Sequence, residues 1–244
     1  MTTLFIADLH LDPERPEITR LFGEFVDDEA HGADALYILG DLFESWVGDD
    51  DPSEAGVFVA ERLKRLADAG VPVYFMHGNR DFMLGREYAR RAGMTLLPDP
   101  TVIVLQGRPV LLMHGDLLCT GDVEYQRIRA QTRDPDWQAQ MLAQPLPARL
   151  AFARQARASS QSRQGALREA GTMETITDVA PATVEETFVR YGVDTLIHGH
   201  THRPAIHRLD VGGRACRRIV LGDWYEQGSV LRVPDEGEPE LSAL

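Results

Sequence analysis

Aspartate, asparagine and histidine recur in five short clusters of this chain. These are Asp8-Leu9-His10, Gly40-Asp41-Leu42-Phe43-Glu44, Gly78-Asn79-Arg80-Asp81, His114-Gly115-Asp116 and His198-Gly199-His200-Thr201-His202. Carboxylate, amide and imidazole are the donors that hold first-row divalent cations, and a mixed set of this size suits a pair of ions. Paired ions are the apparatus of phosphate ester and anhydride hydrolysis, because they acidify a water and neutralise phosphoryl oxygens. Asp8 and His10 stand at i and i+2, which puts both side chains on one side of an extended segment. His198 and His200 share that spacing. Asp41, beside a glycine, is the candidate carboxylate to bridge two ions, and Asn79 adds a neutral ligand. Arg80 offers a planar fork of donors for phosphate oxygens. His114 follows the apolar run Val110–Met113. His202 reads as a supporting neighbour rather than a ligand.

Each cluster follows a short apolar run, and such runs must be the strands that position it. Thr3–Ala7, Ala35–Leu39, Val71–Met76, Pro109–Met113 and Asp194–Ile197 read as strands, and Val102–Leu105 pairs with Pro109–Met113 in a hairpin around Gln106-Gly107-Arg108. Pro16–Ala30, Pro52–Ala69, Met83–Ala92 and Thr183–Tyr191 carry apolar residues at helical spacing, with Gly70 and Gly93 as stops. Ala205–Leu209, Cys216–Leu221 and Ser229–Val233 are further strands, and Pro234–Glu240 reads as a solvated tail. Alternating β and α elements followed by a β-rich end predict an α/β fold. Side chains at the carboxyl ends of its strands would form the site.

The chain has 244 residues, enough for one large domain or a domain with an insert. Its net charge of −13 excludes a general nucleic-acid binder, which needs a basic footprint. The same charge would repel a phosphate substrate unless cations or local arginines reverse the field at the site. Two cysteines without CxxC spacing, Cys119 and Cys216, fit reduced thiols in a cytoplasmic protein. No run of apolar residues approaches the length of a membrane span. Residues 125–168 differ from the rest: they hold eight arginines against two aspartates, interleaved with Trp137, Met141, Leu142, Leu146, Leu150 and Phe152. A basic amphipathic helical insert in an acidic chain predicts a cap over an anionic, partly apolar partner, dividing the chain into a core of 1–124 and 169–244 and a cap of 125–168.

The order and wording of the five clusters resemble the calcineurin-like metallophosphoesterases. The chain departs from their common pattern at Arg80, where most members carry histidine. That departure, with the wording around Phe5–Leu11, Leu36–Glu44, Trp46–Asp51 and Ile197–Pro204, resembles the UDP-2,3-diacylglucosamine diphosphatases of lipid A biosynthesis. The resemblance implies an αββα sandwich of two mixed sheets and hydrolysis of a pyrophosphate bond by attack at the α-phosphorus. It implies two manganese ions, although the ligand types also allow iron or zinc. By resemblance Asp8, His10, Asp41 and His200 hold one ion, and Asp41, Asn79, His114 and His198 hold the other. Asn79, Arg80, Asp122, Tyr125, Ser160 and His198 match positions that contact substrate. Gln164 and Arg168 are looser candidates, since a lysine frequent in that stretch has no clear match. The resemblance further implies a lipid nucleotide substrate, no nucleic-acid partner, a monomer, and a place on the cytoplasmic, anionic face of the inner membrane of a Gram-negative bacterium. Two other readings use the same residues: another dinuclear phosphodiesterase or nucleotide pyrophosphatase, and a metal-free binding scaffold.

Overall fold

Strand residues of the computed structural model alternate between two apolar layers, and this alternation builds the sandwich. Residues 2–171 and 176–244 are described. A six-stranded sheet runs β11-β10-β1-β2-β3-β4 and a five-stranded one runs β5-β6-β7-β9-β8. In the first sheet β1 is Thr2–Ile6, β2 Ala35–Ile38, β3 Val73–Met76, β4 Met94–Leu97, β10 Ser229–Pro234 and β11 Glu240–Ala243; β1 to β4 are parallel. In the second, β5 is Thr101–Leu105, β6 Arg108–Leu112, β7 Thr195–His198, β8 Ala205–Val211 and β9 Arg214–Val220; β6, β7 and β9 are parallel.

Phe5, Ala7, Leu39 and Met76 meet Val110, Leu112, Ile197 and Ile219 between the sheets. Their sequence neighbours Leu4, Ile6, Leu36, Ile38 and Phe75 face the other way, onto helices α1 (Pro16–Asp28), α2 (Glu54–Asp68) and α3 (Arg86–Ala92). Leu111, Met113 and Leu196 do the same toward Val184 and Phe188 of the helix Pro181–Tyr191. The period of two thus writes both faces of each sheet into one strand. α1 buries Ile18, Phe22, Phe25 and Val26 on one stripe after Pro16 opens it. α2 begins where the Ser53 hydroxyl accepts the Gly56 amide at 2.9 Å. α3 stops at Gly93, whose φ of 68° only glycine adopts cheaply.

The expected α/β sandwich of two mixed sheets is present, and three local readings change. Met94–Leu97, which the periodicity left unassigned, is an edge strand pairing with β3. The hairpin turn is Gln106-Gly107, both at positive φ, with Leu105 opposite Arg108. The segment read as solvated tail leads into β11, which pairs with β10. Cys119 and Cys216 are free and buried.

Residues 125–168 lie in three helices: α4 (Val123–Thr132), α5 (Pro135–Leu142) and α6 (Leu146–Glu169), so that Pro181–Tyr191 becomes α7. The arginines of this stretch mostly turn inward, correcting the expectation that they are free for phosphates or a membrane. Arg129 Nε donates to the fully buried Asp116 at 2.8 Å and its Nη2 to Asp99 at 3.2 Å. Arg133 donates to the Gly78 carbonyl at 2.8 Å. Arg149 meets Val47 O and Asp50, Arg157 meets Asp12 and Glu44, and Arg163 forks onto Asp122. The reason is charge: an acidic core offers these carboxylates at contact distance, and buried ones must be paired.

Removing Arg129 takes from the buried Asp116 its closest cation, leaving the Tyr125 hydroxyl at 2.6 Å and Arg133 at 4.0 Å. Arg129→Met is expected to cost about 3–5 kcal/mol in a denaturant titration at neutral pH. A loss below about 1 kcal/mol would show that the pair does not anchor α4.

Candidate metal centre

The five clusters converge at the carboxyl ends of β1, β2, β3, β6 and β7. Beyond the strands their backbones continue to pair: Asp8 N donates to Gly40 O at 3.0 Å and His10 N to Asp41 O at 2.9 Å. Gly199 N donates to His114 O at 2.8 Å. The chain then turns sharply at the functional residues themselves. Asp8, His10, Asp41, His200 and His202 all take positive φ, between 50° and 68°. Such backbone costs roughly 1–3 kcal/mol at a non-glycine residue and is retained where the site needs the side chain aimed. Glycine beside them makes room. A Cβ at Gly78 would fall 2.1 Å from Asp41 Oδ1, and one at Gly199 would fall 2.3 Å from Asp8 Oδ2.

Among the described residues two groups of donors result, Asp8/His10/His202 and Asp8/Asp41/His114, with the atoms of each within 4.8 Å of one another. Asp41 faces both sides, with Oδ2 3.7 Å from His10 Nε2 and Oδ1 3.8 Å from His114 Nε2. Asn79 Oδ1 lies 3.0 Å from His114 Nε2 and 2.9 Å from His200 Nδ1. Oxygens stand behind three of the rings. Glu44 Oε2 sits 3.1 Å from His10 Nδ1, Asp223 Oδ2 3.5 Å from His202 Nδ1, and His114 Nδ1 donates to Leu39 O at 2.9 Å. Each of these rings thereby turns Nε2 inward, the arrangement that supports metal-binding histidines. Asp81 ties the second cluster to the third, accepting from Leu42 N at 2.7 Å and Gly78 N at 2.8 Å. Its burial, with Asp41 nearby, pushes its carboxyl up to about 6.

The donors fit divalent cations. Asp8 Oδ1 is buried with no hydrogen-bond partner among the described residues. Burial opposes ionisation of Asp8, yet the imidazoles of His202, His114 and His10 hold its carboxyl below the usual range. Burial also opposes protonation of His114, but Asp41, Asp116 and Asp8 outweigh it and carry the imidazolium to about 9. Burial and then His114 depress His200 to about 4, so that ring is neutral and ready to ligate. A carboxylate-rich pocket that holds a proton on imidazole at neutral pH is a pocket that wants positive charge.

One expected ligand stands elsewhere. His198 is fully buried, its Nδ1 on Gly199 O at 2.8 Å and its Nε2 accepting from Arg218 Nη1 at 3.1 Å. Both nitrogens are occupied, and burial with Arg218 lowers its pKa to about 3. The residues that reach the cluster from this motif are His200 and His202, two positions further along. The i, i+2 spacing was the right signal applied one pair too early: His198 still belongs to β7, whereas the left-handed turns at His200 and His202 aim those rings inward. Glu44, Asp81, Asp116 and Asp223 were not assigned roles from spacing. The first three lie inside the motifs, and Asp223 carried no signal.

A cavity of about 920 Å³ opens from the cluster and runs along one face of α6. Asn79, Arg80, Asp122, Tyr125, Ser160 and Arg168 line it, whereas His198 does not. Gln164 lies on α6, and its side chain is outside the described residues. Asp122 also caps α4, accepting from Tyr125 N at 2.9 Å. The Tyr125 hydroxyl donates to Asp116 at 2.6 Å, and burial, with that carboxylate, holds it far from ionisation. Sequence reasoning missed Arg157, Gln161 and Tyr225 on the cavity wall. Arg157 and Gln161 follow from Ser160 by the helical repeat; Tyr225, stacked on His10 with centroids 5.1 Å apart, has no motif around it.

Comparison with known proteins agrees with this geometry. The model of the calcineurin-like phosphoesterase family matches residues 1–204. A UDP-2,3-diacylglucosamine hydrolase of Stenotrophomonas maltophilia (strain K279a) is 68% identical over 100% of this chain and 99% of its own. One of Xanthomonas campestris pv. campestris is 66% identical, covering 97% of each chain. Among solved structures, an archaeal phosphodiesterase aligns with a TM-score of 0.51 at 14% identity over the whole of both chains, a likeness of fold.

Two outcomes are expected. A ligand imidazole must be neutral, so cation uptake near pH 7.5 releases about one proton from His114. Calorimetry in buffers of different ionisation enthalpy reads this, and buffer-independent heats would contradict it. In the metal-free chain the His114 contribution to stability has a matching sign. Its folded pKa of about 9 lies above the ordinary 6.5, so that contribution is complete below pH 6.5 and is lost as pH rises through about 9.

Proposed function

The chain belongs to the calcineurin-like phosphoesterase family, and on that premise we propose that it hydrolyses UDP-2,3-diacylglucosamine to UMP and 2,3-diacylglucosamine 1-phosphate in lipid A synthesis. The observation that carries this reading is the single cavity joining the carboxylate–imidazole cluster to Arg80 and to a face of α6. A phosphate-cleaving centre thereby opens directly onto a helical cap with room for a bulky substrate.

Asp8, His10, Asp41 and His202 would hold one divalent ion, and Asp41, Asn79, His114 and His200 the other. Manganese is our assignment, and the same donors suit iron or zinc. Bound there, the ions would supply Lewis-acid neutralisation of phosphoryl oxygens and a water of lowered pKa. The chain's own residues do the rest. Arg80 is about one-fifth exposed, with Nε buried and without a hydrogen-bond partner among the described residues. Its free donors meet charge gathering on the oxygens around the α-phosphorus. Asp41 accepts the Arg80 amide at 2.8 Å, so the bridging carboxylate and the arginine are set by one contact. The leaving group is itself a phosphate, a weak base that departs without a proton. This suits a site whose Tyr125 hydroxyl is already committed to Asp116.

The cap would take the lipid portion. Phe82, Trp137 and Phe152 pack in a row, with centroids 6.1 and 5.7 Å apart, and Phe152 and Leu142 of the cap are exposed. Asp122, Ser160, Gln164 and Arg168 would contact the head of the substrate. No helix among the described residues is long and apolar enough to cross a membrane. We place the protein, as a monomer, on the anionic inner face of the membrane through the exposed Arg127 and Arg154.

Incubation with UDP-2,3-diacylglucosamine and manganese is expected to release UMP, whereas turnover of cyclic AMP without UMP release would overturn the reading. Arg80→Ala is expected to lower kcat by about 10²–10³. For the ligands, His202→Ala is expected to lose one bound ion by metal analysis while His198→Gln keeps both. The reverse pattern would restore His198 as the ligand.

A further inference from the structure

Glu44 occupies a junction that the reaction itself does not explain. It is 5% exposed and lies on the loop after β2, where its amide donates to Leu11 O at 3.1 Å. Its two oxygens serve different parts of the molecule. Oε2 faces His10 Nδ1 at 3.1 Å, and Oε1 faces Arg157 Nη1 of α6 at 3.1 Å. Arg80 and Arg15 stand farther off, at 3.9 and 4.0 Å. Arg157 also reaches Asp12 Oδ2 at 3.1 Å. A cap residue and a candidate ligand of the metal centre therefore share one buried carboxylate.

We propose that Glu44 is a positioning residue that couples the seating of α6 to cation retention at His10, so that the cap and the metal centre stabilise one another. This rests on the reading of the cluster as a metal centre. A buried carboxylate has few places to go, and the Arg157 contact selects the rotamer in which the other oxygen meets His10. That contact keeps the His10 ring turned with Nε2 inward and raises its basicity as a ligand. If Arg157 leaves, Glu44 loses its closest cationic partner and is free to swing toward Arg15 or Arg80, away from His10. Linkage is reciprocal: whatever factor the seated cap adds to cation affinity, the cation adds to cap seating. Arg149 provides the internal comparison. It too ties α6 to the core, through Val47 O and Asp50, but it touches no candidate ligand.

The test is equilibrium Mn²⁺ binding to the full chain without substrate, read by electron paramagnetic resonance of the free ion. The class of site containing His10 is identified as the one lost in His10→Ala. In that class Glu44→Gln is expected to weaken binding about tenfold or more, and Arg157→Ala about three- to tenfold. Arg157→Lys, which keeps a cation near Glu44, is expected to recover most of the loss, and Arg149→Ala to stay within about twofold of the parent. Conversely, Mn²⁺ is expected to slow amide exchange in α6 of the parent and to do so less in Glu44→Gln. Parent-like binding by Arg157→Ala overturns the coupling, as does an equal loss in Arg149→Ala, which would mean general loosening of the cap. If the unmodified chain binds no Mn²⁺, the metal-centre reading itself falls, and the coupling with it.

Discussion

Asp8 and Asp41 sit almost wholly out of water within reach of each other's imidazole partners, and the rest of the site is arranged around that concentration of negative charge. Buried carboxylates are tolerated only when positive charge or donors meet them. The parallel strands deliver the carboxylates to one end of the sandwich, and glycines 78 and 199 let them approach the neighbouring backbone. Left-handed turns then aim five side chains at the same small volume, the Leu39 carbonyl holds the His114 ring, and Glu44 and Asp223 stand behind those of His10 and His202. Each device costs stability by itself. Together they make sense as the housing for cations that neutralise the cluster and bring phosphate to an acidic protein.

The same need for charge balance explains the cap. Its arginines look, in isolation, like a surface prepared for anions. In the folded chain Arg129, Arg133, Arg149, Arg157 and Arg163 answer carboxylates and carbonyls of the core. The anchoring of α4 by Asp116 and of α6 by Asp50, Glu44 and Asp122 forms one wall of the cavity. On the cavity wall Arg80 and Arg168 still face the space an anionic partner would fill, and Arg127 and Arg154 are exposed outside it. The shape of the cavity thus depends on how the cap is held as well as on what it presents.

Much of this was legible in the sequence, and the parts that were not share a cause. Strand runs, helix stripes and the metal-binding character of the clusters are local patterns, and Asp8, His10, Asp41, Asn79 and His114 meet as spacing suggests. The last motif was misread because three histidines alternate with single residues, so spacing alone does not say where the strand ends. β7 ends at His198, and the backbone turns that follow hand the cluster to His200 and His202. Tyr225 and Asp223 come from a distant loop with no pattern to announce them. The cap arginines were visible, but their partners lie anywhere from 13 to 145 residues away, and which carboxylate each one meets is a property of the fold.

The most direct test of this account is the anomalous scattering of manganese in crystals of the full-length protein. Two peaks are predicted astride Asp41, one against Asp8, His10 and His202 and the other against Asn79, His114 and His200. A peak on His198 Nε2, or no peak within the cluster, would contradict it.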